Sequence, residues 1–179
     1  MKKTISELDK KHYELIRKNV SEFLFFCNKK YVETNPGTVL DIAPQDHEGA
    51  KSYFTASKVK ILDIDPNSNA DYIVDLCENN SKVIKNNIFD WIVCTEVIEH
   101  VKNPFKAVQE MHRILKKGGM IFATTPFNFR IHGPLPDCWR FTKYGLEELF
   151  KKFDKIIIEE LETDDRWLMP IHYTIRVIK

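Results

Sequence analysis

The segment from Phe89 to Phe127, FDWIVCTEVIEHVKNPFKAVQEMHRILKKGGMIFATTPF, constrains the fold more than any other, because it reads as a strand, a charged turn, a capped helix and a second strand. Phe89, Trp91, Ile92 and Val93 form a short apolar run rich in strand formers. Thr95 and Glu96 end it at the edge where parallel sheets hold their ligands. Asn103 is placed to cap the next helix, and Pro104 suits its first position, where a missing amide proton costs nothing. Phe105, Val108, Met111 and Leu115 recur at helical spacing and predict one buried face. Lys116-Lys117-Gly118-Gly119 then predicts a cationic last turn and a left-handed stop, followed by a strand over Met120–Ala123. Two parallel strands joined by a helix need a right-handed crossover, which points to an open, twisted α/β sheet.

The flanking sequence supplies the rest of that sheet. Ile16, Val20, Phe23, Leu24 and Cys27 stripe an amphipathic helix suited to covering a sheet edge or the mouth of a site. Asn35-Pro36-Gly37 breaks the chain, and Thr38–Ile42 reads as a first strand, Val59–Ile64 as a second and Asp71–Leu76 as a third. Only Asp65–Ala70 separates the second from the third, against a usual crossover of about a dozen residues. Either the crossover helix shrinks to a turn or the third segment pairs differently. Thr142 opens another helix, with Leu146, Leu149, Phe150 and Phe153 on its apolar face, and Lys155–Glu160 and His172–Ile178 read as closing strands.

A chain of 179 residues suits one domain with a real core, taken here as 1–179, with a helical segment over 1–34 and a lid or acceptor loop over 126–142. Its net charge of +1 gives no footprint for long nucleic acid. Cys27, Cys77, Cys94 and Cys138 form no C-x-x-C pair, so neither a metal site nor a disulfide framework is expected; Cys27 and Cys94 read as buried thiols. The start is charged and no segment reaches membrane-spanning length. These features predict a reduced, cytoplasmic, soluble enzyme without a membrane partner, and a homodimer is compatible with them.

The stretch from Phe89 to Gly119 resembles the fourth and fifth motif region of class I S-adenosylmethionine-dependent methyltransferases, which read F-D-x-V-x-x-x-x-V-x-E-H-V, then a helix, L-K-P-G-G and a strand. Glu99-His100-Val101 and Leu115–Gly119 fall at the family spacing, and the resemblance runs from about Val39 to Phe153. It implies a Rossmann-like, seven-stranded, mostly parallel sheet with an antiparallel last strand and helices on both faces. The implied cofactor is S-adenosylmethionine, with S-adenosylhomocysteine as product.

Under this resemblance Asp63, with Ile64 beside it, stands where the family places the acid that accepts the ribose hydroxyls; Asp65 competes for the role, and both acids also suit a turn before Pro66. Asp75 matches the acid that takes the adenine amino group, with the Leu76 amide next to it, although an aspartate there also suits a helix cap. Thr95 and Glu96 complete the expected cofactor contacts. The first loop departs from the family pattern D-x-G-x-G-x-G. Asp41 is kept, but Ala43 and Gln45 replace glycines and only Gly49 remains nearby, which narrows the backbone where the cofactor's methionine end should lie. Gln45 could instead offer an amide to that end.

In-line attack on a sulfonium methyl asks mainly for alignment and desolvation, and a base is needed only when the acceptor must lose a proton. His100 and His132 are the candidate bases, while the Glu-His pair of the family also serves the fold or the cofactor. The loop Thr125–Thr142 resembles a subgroup frequent among small-molecule and surface-glycan methyltransferases. It nominates Phe127, Arg130, Asp137, Trp139 and Arg140 as acceptor contacts, with Arg130 or Arg140 holding a phosphate or carboxylate. The plain structural alternative is that Trp139 and Phe141 plug the core and Asp137 pairs with Arg140. Three functions follow in order: methyl transfer to a small molecule at oxygen or nitrogen, with a sugar, sugar nucleotide or surface-glycan precursor in view; a non-catalytic subunit or scaffold whose altered first loop no longer binds cofactor; and, last, a nicotinamide enzyme, which lacks its G-x-G-x-x-G.

Overall fold

The computed structural model describes residues 5–44, 49–164 and 166–179. Its elements are helix α1 (Glu7–Cys27), strands β1 (Thr38–Ile42), β2 (Lys58–Asp63), β3 (Tyr72–Ile73) and β4 (Phe89–Thr95), helix α2 (Pro104–Ile114), strand β5 (Leu115–Pro126), helix α3 (Lys143–Leu149), and strands β6 (Lys155–Leu161) and β7 (His172–Ile178). The strands form one sheet in the order β3-β2-β1-β4-β5-β7-β6. All pairs are parallel except those of β7, which runs antiparallel to both neighbours. This is the seven-stranded Rossmann-like sheet that the sequence implied.

Each face of the sheet buries its own core. On one side α1 lays down Ile16, Val20, Phe23, Leu24 and Cys27, the predicted stripe, against Val39, Trp91, Val93, Met120 and Phe122. Phe122 is the hub: Phe23 meets it edge-on at 6.5 Å, and Trp91, Phe54 and Tyr31 stack on it at 5.8 to 6.1 Å. Offset and edge-on rings of this kind add about 0.5–1.5 kcal/mol each beyond simple burial. On the other side α2 and α3 cover Leu40, Ile42, Ile92, Cys94, Ile121 and Ala123. Cys27 and Cys94 are wholly buried, and burial pushes both thiols up.

Local chemistry sets the ends of α2. The Asn103 side chain accepts from the Lys106 amide and Pro104 opens the helix, as predicted. The buried face, however, is Ala107, Val108, Met111 and Ile114, and Phe105 is 58% exposed. At 3.6 residues per turn, Phe105 stands about 120° from Met111, so it cannot share that face. The predicted left-handed stop also moves. The helix ends at Ile114, and Lys116–Gly119 already belongs to β5, where the register jumps from Phe89↔Leu115 to Trp91↔Met120. Gly118 takes φ +77 in this excursion, and a Cβ on Gly119 would lie 2.7 Å from the Asp90 carbonyl oxygen. The cation at the carbonyl end of α2 comes from elsewhere: the Lys179 ammonium donates to the carbonyls of His112 and Leu115 at 2.6 and 2.7 Å.

The third predicted strand shrinks to two residues, paired in parallel as Leu62↔Tyr72 and Asp63↔Ile73, so the short crossover is a turn without a helix. One further bond, Val74 N–H to Asp63 C=O, extends the pair, and the Asp75 carboxylate then accepts from the Cys77 amide and turns the chain away. The third helix ends at Leu149, earlier than its apolar pattern suggested; Phe150 and Phe153 remain buried in the turns that follow. None of the described helices is long and apolar enough to cross a membrane.

Candidate active site

The carboxyl ends of β1, β2, β3 and β4 open into a cleft of about 770 Å³, bounded by α1 on one side and by the loop after β5 on the other. Ligands of open α/β sheets bind at this edge, where strand order reverses between β1 and β4. Asp63, Ile64, Asp75, Leu76, Thr95, Glu96 and Ala43 all line it, as does His100. Gln45 falls outside the described residues.

Asp41 stands behind this lining. It is 3% exposed, and its Oδ2 accepts from the Ala50 amide at 2.6 Å, tying the far end of the first loop back to β1. A Cβ on Gly49 would lie 2.5 Å from that oxygen, which explains why this turn keeps a glycine, at φ +56. Burial pushes the Asp41 carboxyl up to about 6, against the opposing pull of the Ala50 amide and Lys51. Ala43 carries φ +49, a left-handed conformation usually left to glycine, and Glu96 does the same at φ +54. Backbone of this kind at the ends of β1 and β4 is strained and concentrates where ligands approach.

The cofactor-side carboxylates are held lightly. Asp63 accepts from the Asp65 amide, and Asp75 from the Cys77 amide, each only two residues on. The residues after β4 are bound more widely. Glu96 Oε1 accepts from the Thr124 hydroxyl at 2.8 Å and lies 2.6 Å from His172 Nε2, while His172 Nδ1 meets the Asn19 amide at 2.8 Å. The Asn19 amide donates to Nδ1, so Nε2 carries the proton given to Glu96. Burial opposes the Glu96 charge, but His172, its hydrogen bond, the Thr124 hydroxyl and His132 together hold the carboxyl below its ordinary range.

Glu99 is wholly buried, and burial followed by the nearby Glu96 charge pushes its carboxyl well up. Its Oε2 accepts from the Thr125 hydroxyl at 3.3 Å, while Oε1 has no hydrogen-bond partner. The two candidate bases lie beside it and pack edge-on with ring centroids 4.8 Å apart. His132 is held below its ordinary value, first by burial, with Asp137 opposing and His100 adding to the fall.

The acceptor residues nominated from sequence fall outside the cleft lining. Phe127 packs on Tyr173, and Arg130 reaches toward Asp9 of α1 at 3.7 Å. Asp137 is buried against Arg140 and takes the His132 amide, which holds its carboxyl down to about 2 despite burial. Arg140 also donates to the carbonyls of Arg130 and Trp139. Trp139 donates to the Val101 carbonyl and stacks on Phe141. The Asp137–Arg140 pair and the buried Phe141 match the structural alternative raised for the loop, whereas Trp139, 40% exposed, does not plug the core. The loop residues facing the cleft are instead Phe129, His132 and Gly133–Pro136, joined by Tyr13 and Arg17 of α1. Arg17 follows the buried Ile16 in the α1 stripe, so the helix that covers the sheet also presents a cation to the site.

A methyltransferase-domain family profile matches residues 8–173. Among curated proteins, the thiol S-methyltransferase TMT1B of Rattus norvegicus is 31% identical over 90 residues, covering 41% of this chain and 37% of that protein. The ubiquinone biosynthesis O-methyltransferase of Pseudomonas aeruginosa is 40% identical over 37 residues, covering 21% and 16%. The chain thus spans well under half the length of the curated relatives it matches. Among solved structures, a phosphoethanolamine N-methyltransferase 2 of Haemonchus contortus, in complex with phosphomonomethylethanolamine and S-adenosylhomocysteine, superposes with a TM-score of 0.64 at 16% identity, covering 89% of this chain and 52% of that one.

Proposed function

The chain belongs to the methyltransferase domain family, whose cofactor is S-adenosylmethionine, and we propose that it transfers the methyl group to oxygen or nitrogen of a small-molecule acceptor. The observation that carries this reading is the convergence of Asp63, Asp75 and the left-handed Ala43 on one cleft at the strand ends. The residues present fit the cofactor: the cleft volume lies within the usual range for small-ligand sites, and Ala43 adopts the backbone form that the family's glycine would supply.

When bound, the cofactor supplies a methyl group on a sulfonium sulfur, open to in-line displacement. In this reading Asp63 accepts the ribose hydroxyls and Asp75 the adenine amino group, with Leu76 and Ile64 flanking the base and excluding water. Thr95 and Glu96 bound the cofactor on the β4 side, and the Ala43 and Gln45 loop meets its methionine end. The Phe129–Pro136 loop forms the acceptor wall. His132, kept neutral by burial, takes the proton where the acceptor is a hydroxyl, and His100 supports it. Arg140 is committed to Asp137 and to carbonyls, so an anionic acceptor substituent meets Arg17. A sugar, sugar nucleotide or glycan precursor suits an aromatic wall interleaved with polar groups. The thiol and O-methyltransferase relatives also carry names that imply small acceptors.

Calorimetric titration with S-adenosylmethionine and S-adenosylhomocysteine, with NAD as control, tests the reading. Saturable binding of the first two alone supports it and directs a labelled-methyl screen of small hydroxyl and amine acceptors. No binding at millimolar ligand overturns it in favour of a non-catalytic subunit.

A further inference from the structure

We propose that Glu99, His100 and His132 form a site for one divalent transition-metal cation, open on its cleft side to an oxygen atom of the acceptor. The donor atoms of the three residues lie within 4.8 Å of one another. Glu99 Oε1 stands 3.7 Å from His100 Nε2 and 3.8 Å from His132 Nε2.

What needs explaining is that two imidazole nitrogens face a buried carboxyl oxygen that has no hydrogen-bond partner. His100 Nδ1 lies 3.0 Å from the Pro136 carbonyl oxygen, which only accepts, so Nδ1 carries the proton and Nε2 presents a lone pair. His132 Nδ1 lies 3.1 Å from Asp137 Oδ2, off the line of a formal hydrogen bond but close enough for the carboxylate to favour a proton there; its Nε2 then also presents a lone pair. Both lone pairs converge on Glu99 Oε1, an oxygen with no hydrogen-bond partner on a side chain that is 0% exposed. Burying a carboxyl oxygen without a partner costs about 1–3 kcal/mol, and a cation replaces the proton that burial otherwise keeps on Glu99. A cation at the centre gives the orphaned oxygen a partner and takes both imidazole lone pairs together.

The surroundings match those of metal ligands. A histidine that binds a metal typically donates its other ring nitrogen to a carboxylate or carbonyl, and Asp137 and Pro136 occupy those two places. The donors stand somewhat wider than the ~3.0–3.6 Å that bonds of about 2.1 Å impose, so loading moves His132, on its loop, toward Glu99. Two imidazoles and one carboxylate favour manganese, iron, cobalt or zinc over magnesium. Use of the site for an oxygen acceptor rests on the methyl-transfer reading. There the cation occupies the His132 lone pair that serves as base in the metal-free chain; it lowers the pKa of an acceptor hydroxyl, the proton leaves to water, and the oxygen lone pair takes the methyl as the carbon–sulfur bonding pair stays on sulfur.

The test is a Co²⁺ titration of the untagged, chelator-stripped full chain, read by visible absorption, with Zn²⁺ competition by calorimetry. One equivalent is expected. His132→Gln and His100→Gln should each weaken binding by at least about 10-fold with an unchanged circular dichroism spectrum. Cys138→Ser, at an exposed thiol on the same loop, should leave binding unchanged. Glu99→Gln serves as a third variant where it folds. Absence of saturable Co²⁺ or Zn²⁺ binding at millimolar metal would overturn the proposal in favour of a protonated, metal-free Glu99, as would binding that survives both histidine changes. Titrating the same preparation with S-adenosylmethionine separates this failure from a failure of the methyl-transfer reading.

Discussion

The two halves of the cleft are built by opposite means. At the ends of β2 and β3, Asp63 and Asp75 are each braced by an amide two residues away, so short pieces of chain make that half almost alone. After β4 and β5 the groups are braced across the fold: Glu96 meets His172 from 76 residues away, and His172 meets Asn19 from 153. The first half leaves its carboxylates free to take a ligand. The second holds its charged groups buried and mutually dependent, so a change there disturbs the fold before it disturbs binding.

The strongest challenge to this contrast is Arg140→Ala. It strands the buried Asp137 carboxylate, and loss of one partner of such a pair should cost about 3–5 kcal/mol of stability by urea unfolding. A cost below about 1 kcal/mol would mean that the second half is no more interlocked than the first.

Next in size is the pH response of Asp41, which lies on the local side yet is buried. Its folded value of about 6 exceeds the ordinary 3.8, so the folded chain holds the proton more tightly than the unfolded chain does. Stability therefore falls as pH rises through that window, by about 3 kcal/mol at 1.36 kcal/mol per unit, and the loss is complete above the folded value. Asp41→Asn, which keeps an acceptor for the Ala50 amide, should flatten this part of the stability profile measured by denaturant unfolding. An unchanged slope would remove Asp41 as its source.

Asp63→Ala is the counterpart of Arg140→Ala. Loss of charged hydrogen bonds worth about 1.5–3 kcal/mol should weaken S-adenosylmethionine by roughly 10- to 100-fold in calorimetry, with little change in the melting midpoint. Equal binding by variant and parent would take Asp63 out of the site. The smallest effect is expected from Ala43→Gly, which relieves a left-handed alanine and should raise stability by about 1 kcal/mol, with tighter cofactor binding. A loss of stability would mean that the loop, rather than the residue, imposes the strain.

The same division governs how much the sequence revealed. Strand formers, the Asn103-Pro104 cap and the α1 stripe are local signals, and they yielded the strands and helices, while the family resemblance supplied the seven-stranded sheet and nominated Asp63 and Asp75, which line the cleft. Phe105 misled because four apolar residues at near-helical spacing fit more than one face, and the packing of Ala107 and Ile114 decided which was buried. Gly118 misled because a glycine after a cationic run suits a helix stop and a strand excursion equally well; its contact with Asp90 through Gly119 is tertiary. In the acceptor loop, Asp137 and Arg140 carry the residue types of a binding site, and only the fold reveals that their charges are spent on each other and on carbonyls. His172 sits in an unremarkable strand, and no local pattern ties it to Glu96.

The antiparallel β7 has a bearing on how the molecule is made. It is the latest of the seven strands in chain order, yet it lies between β5 and β6, and all of its residues but Ile178 are buried. A chain emerging from the ribosome therefore presents β5 and β6 as two open edges with a gap between them, and that gap stays unfilled until β7 is released. His172 arrives on the same strand, so Glu96 acquires its partner only as the gap closes. Closure of the sheet and arrival of the Glu96 partner are then a single event.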